Sequence, residues 1–355
     1  MIKKIYATIF TILLFQGVFF AQSLDSLKLK NIPISITGYV DAYYAYYTDS
    51  LGTGEYQKFP SVSPRSNQFG LNTAHLNFQY DADKVRGVVG LHFGDISKSA
   101  WSGNIMEAHA GVRITKKVWV DAGFFRTHFG TEGLMPRENI ANSVSLCTFY
   151  EPYFESGVRL NYNYSANLTI NLYLLNGYNI YEENNRKKSF GTLITYALGE
   201  NGNIGYSNYI GDDSPVTDTI GHKRSMHNLY LNYQVKKLKI QIGGDMAIQK
   251  NSDLYQKNKA AMYSGVLSLK YGFNPKYAAY GRGEIFNDPQ GILTGMGYLK
   301  ASGVTLGLEY KPTEASYVRI EGRELILDEG QKLFYWNNKY TNIRMELMIN
   351  LGVSF

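Results

Sequence analysis

The sequence has little of what helical membrane proteins and disulfide-stapled secreted domains require. Cys147 is the single cysteine among 355 residues, so an intramolecular disulfide and a cysteine-based metal site are excluded. After residue 21 no run approaches the roughly 20 apolar residues of a helical span. Prolines number only nine. Charge of one sign is also scarce: the net +6 falls to +4 once Lys3 and Lys4 are set aside, and no long basic run argues for nucleic-acid binding. No glycine-rich phosphate loop or helix-borne site stands out, and no cofactor is implied.

What is abundant is tyrosine, with 30 residues, and glycine, with 35. Tyrosine suits a boundary that is apolar on one side and wet on the other; glycine suits tight turns and crowded sheet positions. Hydrophobic content is 44%, yet the apolar residues are dispersed and often alternate with polar ones. The N-terminus reads as a secretory signal over residues 1–21: Lys3 and Lys4, then an apolar stretch from Ile5 to Phe20, then Ala21 before Gln22. Residues 22–33 form a short periplasmic lead.

From residue 34 a unit repeats: about ten residues of period-2 alternation, then a turn signal. The last segment is the clearest. Ile343, Met345, Leu347, Ile349, Leu351, Val353 and Phe355 make one wholly apolar face, against Asn342, Arg344, Glu346, Met348, Asn350, Gly352 and Ser354. That pattern fits a strand with lipid on one side and a polar lumen on the other. The same alternation sets Met106, Ala108, Ala110, Val112 and Ile114 against Glu107, His109, Gly111 and Arg113. It predicts 16 strands: 34–47, 69–80, 85–95, 105–115, 118–127, 154–164, 168–177, 189–198, 203–210, 225–235, 238–249, 260–272, 276–286, 300–311, 316–327 and 341–355. Their connections alternate between seven short and eight long. An all-β, antiparallel, up-and-down transmembrane barrel over 34–355 has this layout, with short periplasmic turns and long extracellular loops. Tyr80, Tyr164, Tyr196, Tyr233, Tyr271 and Tyr310 each fall near a strand end leading into a short turn, as an interfacial girdle requires. A soluble propeller or sandwich would also have many strands, but not this two-class loop pattern.

Three segments carry a family resemblance. Asp121-Ala-Gly-Phe-Phe-Arg-Thr-His-Phe-Gly130 with Glu132, Glu151-Pro-Tyr-Phe-Glu-Ser-Gly-Val-Arg159, and Leu175-Asn-Gly-Tyr178 with Asn184-Asn185 and Phe190-Gly191 are similar to motifs of the OmpL-like β-barrel porins of Gram-negative outer membranes. The terminal Phe355 resembles the signal read by the barrel-assembly machinery. The resemblance implies an outer-membrane pore and no particular solute.

Candidate pore-lining residues follow from the alternation: Arg86, His92, Glu107, Arg113, Asp121, Arg126, Arg159, Lys239, Asp245, Arg282, Glu284, Arg319, Glu321, Arg323, Arg344 and Glu346. An Arg or Lys facing mid-membrane lipid would cost about 2–4 kcal/mol, so these point inward. Arginine outnumbers the acids, which predicts passive diffusion of small polar solutes or ions with weak anion preference; cross-strand pairing, as in Arg319–Glu321–Arg323, competes with that reading. The connection 128–153 is the longest and mixes apolar residues with Glu132, Arg137 and Glu138, suiting a loop that folds inward as a constriction. His75, His92 and His109 sit on successive strands, an arrangement read as lumen polarity rather than as a metal site. The partners expected are outer-membrane lipids, the assembly machinery, the solutes themselves and, by analogy with known 16-stranded porins, two further copies in a homotrimer. A structural or adhesive barrel is the first alternative. An outer-membrane enzyme is the second: a lipase needs an outward Ser–His pair oriented by a third group, with His227 and Ser264 or Ser268 as candidates. A protease needs acid and histidine pairs at loop ends, with His128–Glu132 and His222–Asp218 as candidates that look like solvated loop residues.

Overall fold

Alternating residues with two different solvents on their two faces can satisfy every backbone group only if the sheet closes on itself. The computed structural model, which describes residues 32–49, 56–57, 59, 61–99, 103–253 and 257–355, is such a closed sheet. The signal-peptide expectation, with nearly all of the lead, lies outside the described residues. The strands are β1 (Ile34–Tyr47), β2 (Gln68–Asp81), β3 (Val85–Phe93), β4 (Ile105–Thr115), β5 (Val118–Arg126), β6 (Phe154–Asn163), β7 (Leu168–Leu175) and β8 (Ser189–Ala197). They continue as β9 (Gly202–Gly211), β10 (Arg224–Val235), β11 (Leu238–Gln249), β12 (Ala260–Gly272), β13 (Tyr277–Asp288), β14 (Leu299–Tyr310) and β15 (Ser316–Leu327). A small hairpin of β16 (Phe334–Trp336) and β17 (Lys339–Thr341) decorates the last long connection before β18 (Ile343–Ser354). All 16 predicted strands are present, each antiparallel to its chain neighbours, and β1 closes on β18 from Tyr39↔Ser354 to Tyr47↔Glu346.

Burial is inverted relative to a soluble domain. On β18 the apolar positions from Ile343 to Val353 are 39–52% exposed, whereas Arg344, Glu346 and Asn350 are 0–3% exposed. Apolar side chains face outward to lipid and charged ones fill the interior, the arrangement of an outer-membrane barrel. The tyrosine girdle forms: Tyr80, Tyr164, Tyr196, Tyr271 and Tyr310 are exposed at the short-turn end, and Tyr233 is half-buried there.

One face assignment fails. Met106, expected on the lipid face, is buried in the lumen with Tyr39, Met135 and Tyr317. The register of β3 against β4 slips between Gly90 and Leu91, so Glu107 pairs with Gly90 and Ile105 with Leu91. The unpaired Met106 is the extra residue of a bulge, so Met106 and Glu107 both face inward and the alternation changes phase there, leaving Ile105 41% exposed.

Candidate functional site

The lumen is crossed by the segment 127–153, which leaves β5, runs inside the barrel and returns to β6. It contains a 3-10 turn, Pro136–Glu138, and a one-turn helix, Leu146–Phe149, capped by Ser145, whose Oγ accepts from the Thr148 amide at 3.3 Å. A loop taken out of bulk water must find partners for its backbone, and here the wall supplies them. Glu321 accepts the amides of Asn142 and Ser143 at 2.6 and 3.1 Å and Glu284 that of Leu146 at 2.7 Å, while within the loop Glu132 accepts that of Ser145 at 2.7 Å. Arg319 donates to the carbonyls of Pro136, Ala141 and Asn139 at 2.9–3.3 Å, Arg282 to that of Ser143, and Gln241 to that of Thr131 at 2.6 Å. On β1, one strand beyond β18 from β15, the Tyr39 hydroxyl accepts the Arg137 amide at 3.2 Å, and the Arg137 guanidinium lies over the Tyr39 ring. Gly243 makes the approach possible: a Cβ there would sit 2.0 Å from Thr131 Oγ1.

The wall charges form pairs and networks. Arg86 and Arg159 both bridge Asp121, at 2.6 and 3.0 Å. Arg282 pairs with Glu132 and Glu284, Arg323 with Glu284 and Glu346, and Arg344 with Glu346. Arg126 meets Glu138 of the loop at 2.5 Å. Bidentate and shared pairs of this kind are the strong ones in a low dielectric. Two of the sixteen predicted lining residues stand apart. Arg113 pairs with Asp83 at the short-turn rim, and Lys239 is exposed in the periplasmic mouth. His75 and His92 share a rung, while Glu107 reaches His109 at 3.5 Å. Among the described residues, the group of three metal-type ligand atoms within 4.8 Å of one another is not this one but Cys147, Glu151 and Asp245.

That trio fastens the loop's end to β11. Cys147 donates to Asp245 Oδ2 at 2.6 Å, and Ser264 donates to the same oxygen at 2.9 Å. Burial, reinforced by the Asp245 carboxylate, pushes the Glu151 carboxyl well above its ordinary range. Burial, then the charges of Asp245 and Glu151, raises the Cys147 thiol as well. Both groups are thereby held in their neutral forms.

The expected protease pairs resolve differently. His128 is not solvated: it is 2% exposed, bonded through Nδ1 to Glu155 and through Nε2 to the Asn208 carbonyl, both at 2.6 Å. Burial alone would lower its pKa, but the Glu155 carboxylate outweighs burial and raises it. Its partner is Glu155 rather than Glu132. His222 does meet Asp218, at 3.2 Å, in a half-buried loop. Ser264 and Ser268 are buried on the lumen side, whereas His227 faces the other way, so that pair cannot meet.

Around the loop the free space narrows and widens again. An extracellular vestibule of about 970 Å³, ringed by Phe149, Tyr150, Tyr153 and Tyr178, shares Glu151 and Tyr153 with a mid-lumen cavity of about 360 Å³. That cavity shares Glu138, Asn232 and Gln241 with one of about 280 Å³, which borders a periplasmic mouth of about 510 Å³ through Lys239, Lys270 and Lys311.

A family model described as "Putative beta-barrel porin-2, OmpL-like" matches residues 33–355. The chain belongs to that OmpL-like porin family. The barrel is also similar to solved porins. Against the anion-selective porin of Comamonas acidovorans the TM-score is 0.63 at 10% identity, covering 91% of this chain and 99% of that one. Outer-membrane-expressed OmpT of Vibrio cholerae gives 0.63 at 13%, covering 93% and 100%. OprB of Pseudomonas putida gives 0.60 at 9%, covering 91% and 94%. The comparison with curated protein sequences gives no match. This OmpL-like porin is therefore an outer-membrane β-barrel of porin type. Two interior acids were not among the residues named from the alternation: Glu309, which accepts from Arg319 and Lys270, and Asp41. Four side chains, Tyr39, Tyr317, Asn72 and Asn350, donate to Asp41. Both acids lie on the polar side of the alternation, which was the available signal.

Proposed function

We propose that this porin passes small polar solutes and ions by passive diffusion around the inward segment 128–153, with a weak preference for anions. The inward loop, stitched to β1, β11, β13 and β15, carries the reading: a segment held by that many buried bonds stands as a fixed constriction rather than a mobile lid. Glu132 is committed to Arg282 and the Ser145 amide, and Glu138, though exposed, is held by both terminal nitrogens of Arg126, so Arg137, half-buried over the Tyr39 ring, is the constriction charge left to meet a solute. The arginine excess in the lumen does not set the preference, because those guanidiniums are paired with Asp49, Asp121, Glu132, Glu138, Glu284, Glu309 and Glu346. The preference arises in the periplasmic mouth, where Lys237, Lys239, Lys270, Lys276 and Lys311 surround the single acid Glu309. A collar of one sign concentrates counter-ions at a pore entrance.

Single-channel recording of the purified barrel in a planar bilayer under a salt gradient tests this. Discrete ohmic steps with a reversal potential favouring anions are expected, and Lys239→Glu with Lys311→Glu should reverse its sign. A folded barrel that stays silent would overturn the channel reading. Assembly as a homotrimer is part of the proposal; one structure of V. cholerae OmpT is of a trimer form. Cross-linking in membranes that yields only monomers would exclude it here.

A further inference from the structure

At the extracellular end of β9 and β10 the lipid-facing wall carries polar groups in contact. Met226 and Asn228 point into the lumen and are 0–1% exposed, so Ser225 and His227 face outward. Ser225 Oγ lies 3.0 Å from His227 Nε2, and His227 Nδ1 lies 2.7 Å from the hydroxyl of Tyr206 on β9, whose ring stacks against the imidazole. A hydroxyl, an imidazole and a group that fixes the imidazole's tautomer are the parts of an activated serine nucleophile. All three are half-buried.

The setting matches a lipid substrate. In register, Ser225 stands between Ile210 and Ile248, and His227 between Asn208 and Met246. Leu229, Met246 and Ile248 are exposed around them, a surface for acyl chains. Ser225 is the second residue of β10, one position inside the rim, at the depth where headgroup meets acyl chain. Two residues further out on the same alternation come Lys223 and Lys250. Both are exposed, and they are joined by a backbone hydrogen bond from the Lys250 amide to the Lys223 carbonyl at 3.0 Å. That places two ammonium groups at headgroup level above the serine.

We propose that Ser225 and His227, oriented by Tyr206, form an acyl-ester hydrolase centre acting on anionic acyl lipids of the outer leaflet, independently of the lumen. Ser225 Oγ attacks the ester carbonyl while its proton passes to His227 Nε2. Asn208, beside His227 in register, is assigned to donate its amide to the oxyanion. Collapse breaks the carbonyl–oxygen bond, and the leaving alkoxide takes the proton from His227. A water, deprotonated by the same imidazole, then cleaves the acyl-serine, releasing a fatty acid and restoring the hydroxyl. Tyr206 is a positioning residue.

The test reconstitutes the whole barrel in phosphatidylglycerol vesicles and, separately, in vesicles containing lipopolysaccharide, and measures free fatty acid by mass spectrometry. Release is expected from at least one, and the arm that responds identifies the lipid. Ser225→Ala and His227→Asn, each checked for folding by heat-modifiable migration, should reduce release by about 10²-fold or more with conductance unchanged. Tyr206→Phe should slow release and move its pH profile, which a merely packing tyrosine would not. A fluorophosphonate probe should add its mass to the peptide bearing Ser225. Folded wild-type barrel that releases nothing from either vesicle, or Ser225→Ala releasing as much as wild type, would overturn the proposal while leaving the channel reading untouched.

Discussion

Arg319 holds three loop carbonyls and Glu309 at once, with its side chain 4% exposed. Arg319→Ala therefore leaves carbonyls and a carboxylate short of a buried donor, a change that costs about 3–5 kcal/mol in comparable buried pairs. The expected outcome is a folded barrel with a loosened loop, seen as larger and noisier single-channel currents. Glu151 carries a pH prediction. Its carboxyl is raised when the loop is seated, so its contribution to seating is complete below its ordinary value of 4.5. That contribution is lost as the pH climbs toward and through the raised value. Thermal stability of the folded barrel should fall with alkalinity more steeply in wild type than in Glu151→Gln. His128 is raised too and shares that sign, so the variant removes part of the slope rather than all of it. Equal slopes would show that Glu151 is neutralised some other way.

The loop is the element on which the lumen turns. Its direction was partly legible: length, apolar content and its place after the fifth strand suggested an inward fold. The partners were not, because Glu284, Arg319 and Glu321 lie more than 130 positions away in sequence and only barrel closure brings them to the loop. Gly243 shows the same limit; its role is set by Thr131, which no local pattern connects to it. Gly243→Val should drive the wall into Thr131, and the measurement is again conductance, with current steps expected to rise. Removing 131–147 should enlarge the steps further. Unchanged conductance after that deletion would mean that the narrowest point lies elsewhere. The Met106 bulge marks a second limit at this scale. An inserted residue shifts register against one neighbour and changes the phase of the alternation there, so face assignments near a bulge cannot be read from periodicity.

For the whole molecule, closure is the decisive event, and it joins the ends of the barrel. The Phe355 amide donates to the Gly38 carbonyl at 3.0 Å, the Gly38 amide donates back at 2.6 Å, and the Phe355 ring covers the position a Gly38 Cβ would take. Phe355→Ala should lower the yield of heat-modifiable barrel in the outer membrane, and Gly38→Leu should do so by displacing the ring; normal yields would remove Phe355 from the assembly step. Strand number, strand order, the two loop classes and the tyrosine girdle were all determined by the sequence alone. Lipid on one side and water on the other impose a period of two that every strand must obey, and that period is local. Which charges neutralise which, where the loop is fastened, and the meeting of Ser225, His227 and Tyr206 on the lipid face were decided by tertiary structure. Those contacts depend on register between strands and on closure, and neither quantity is written within any one segment.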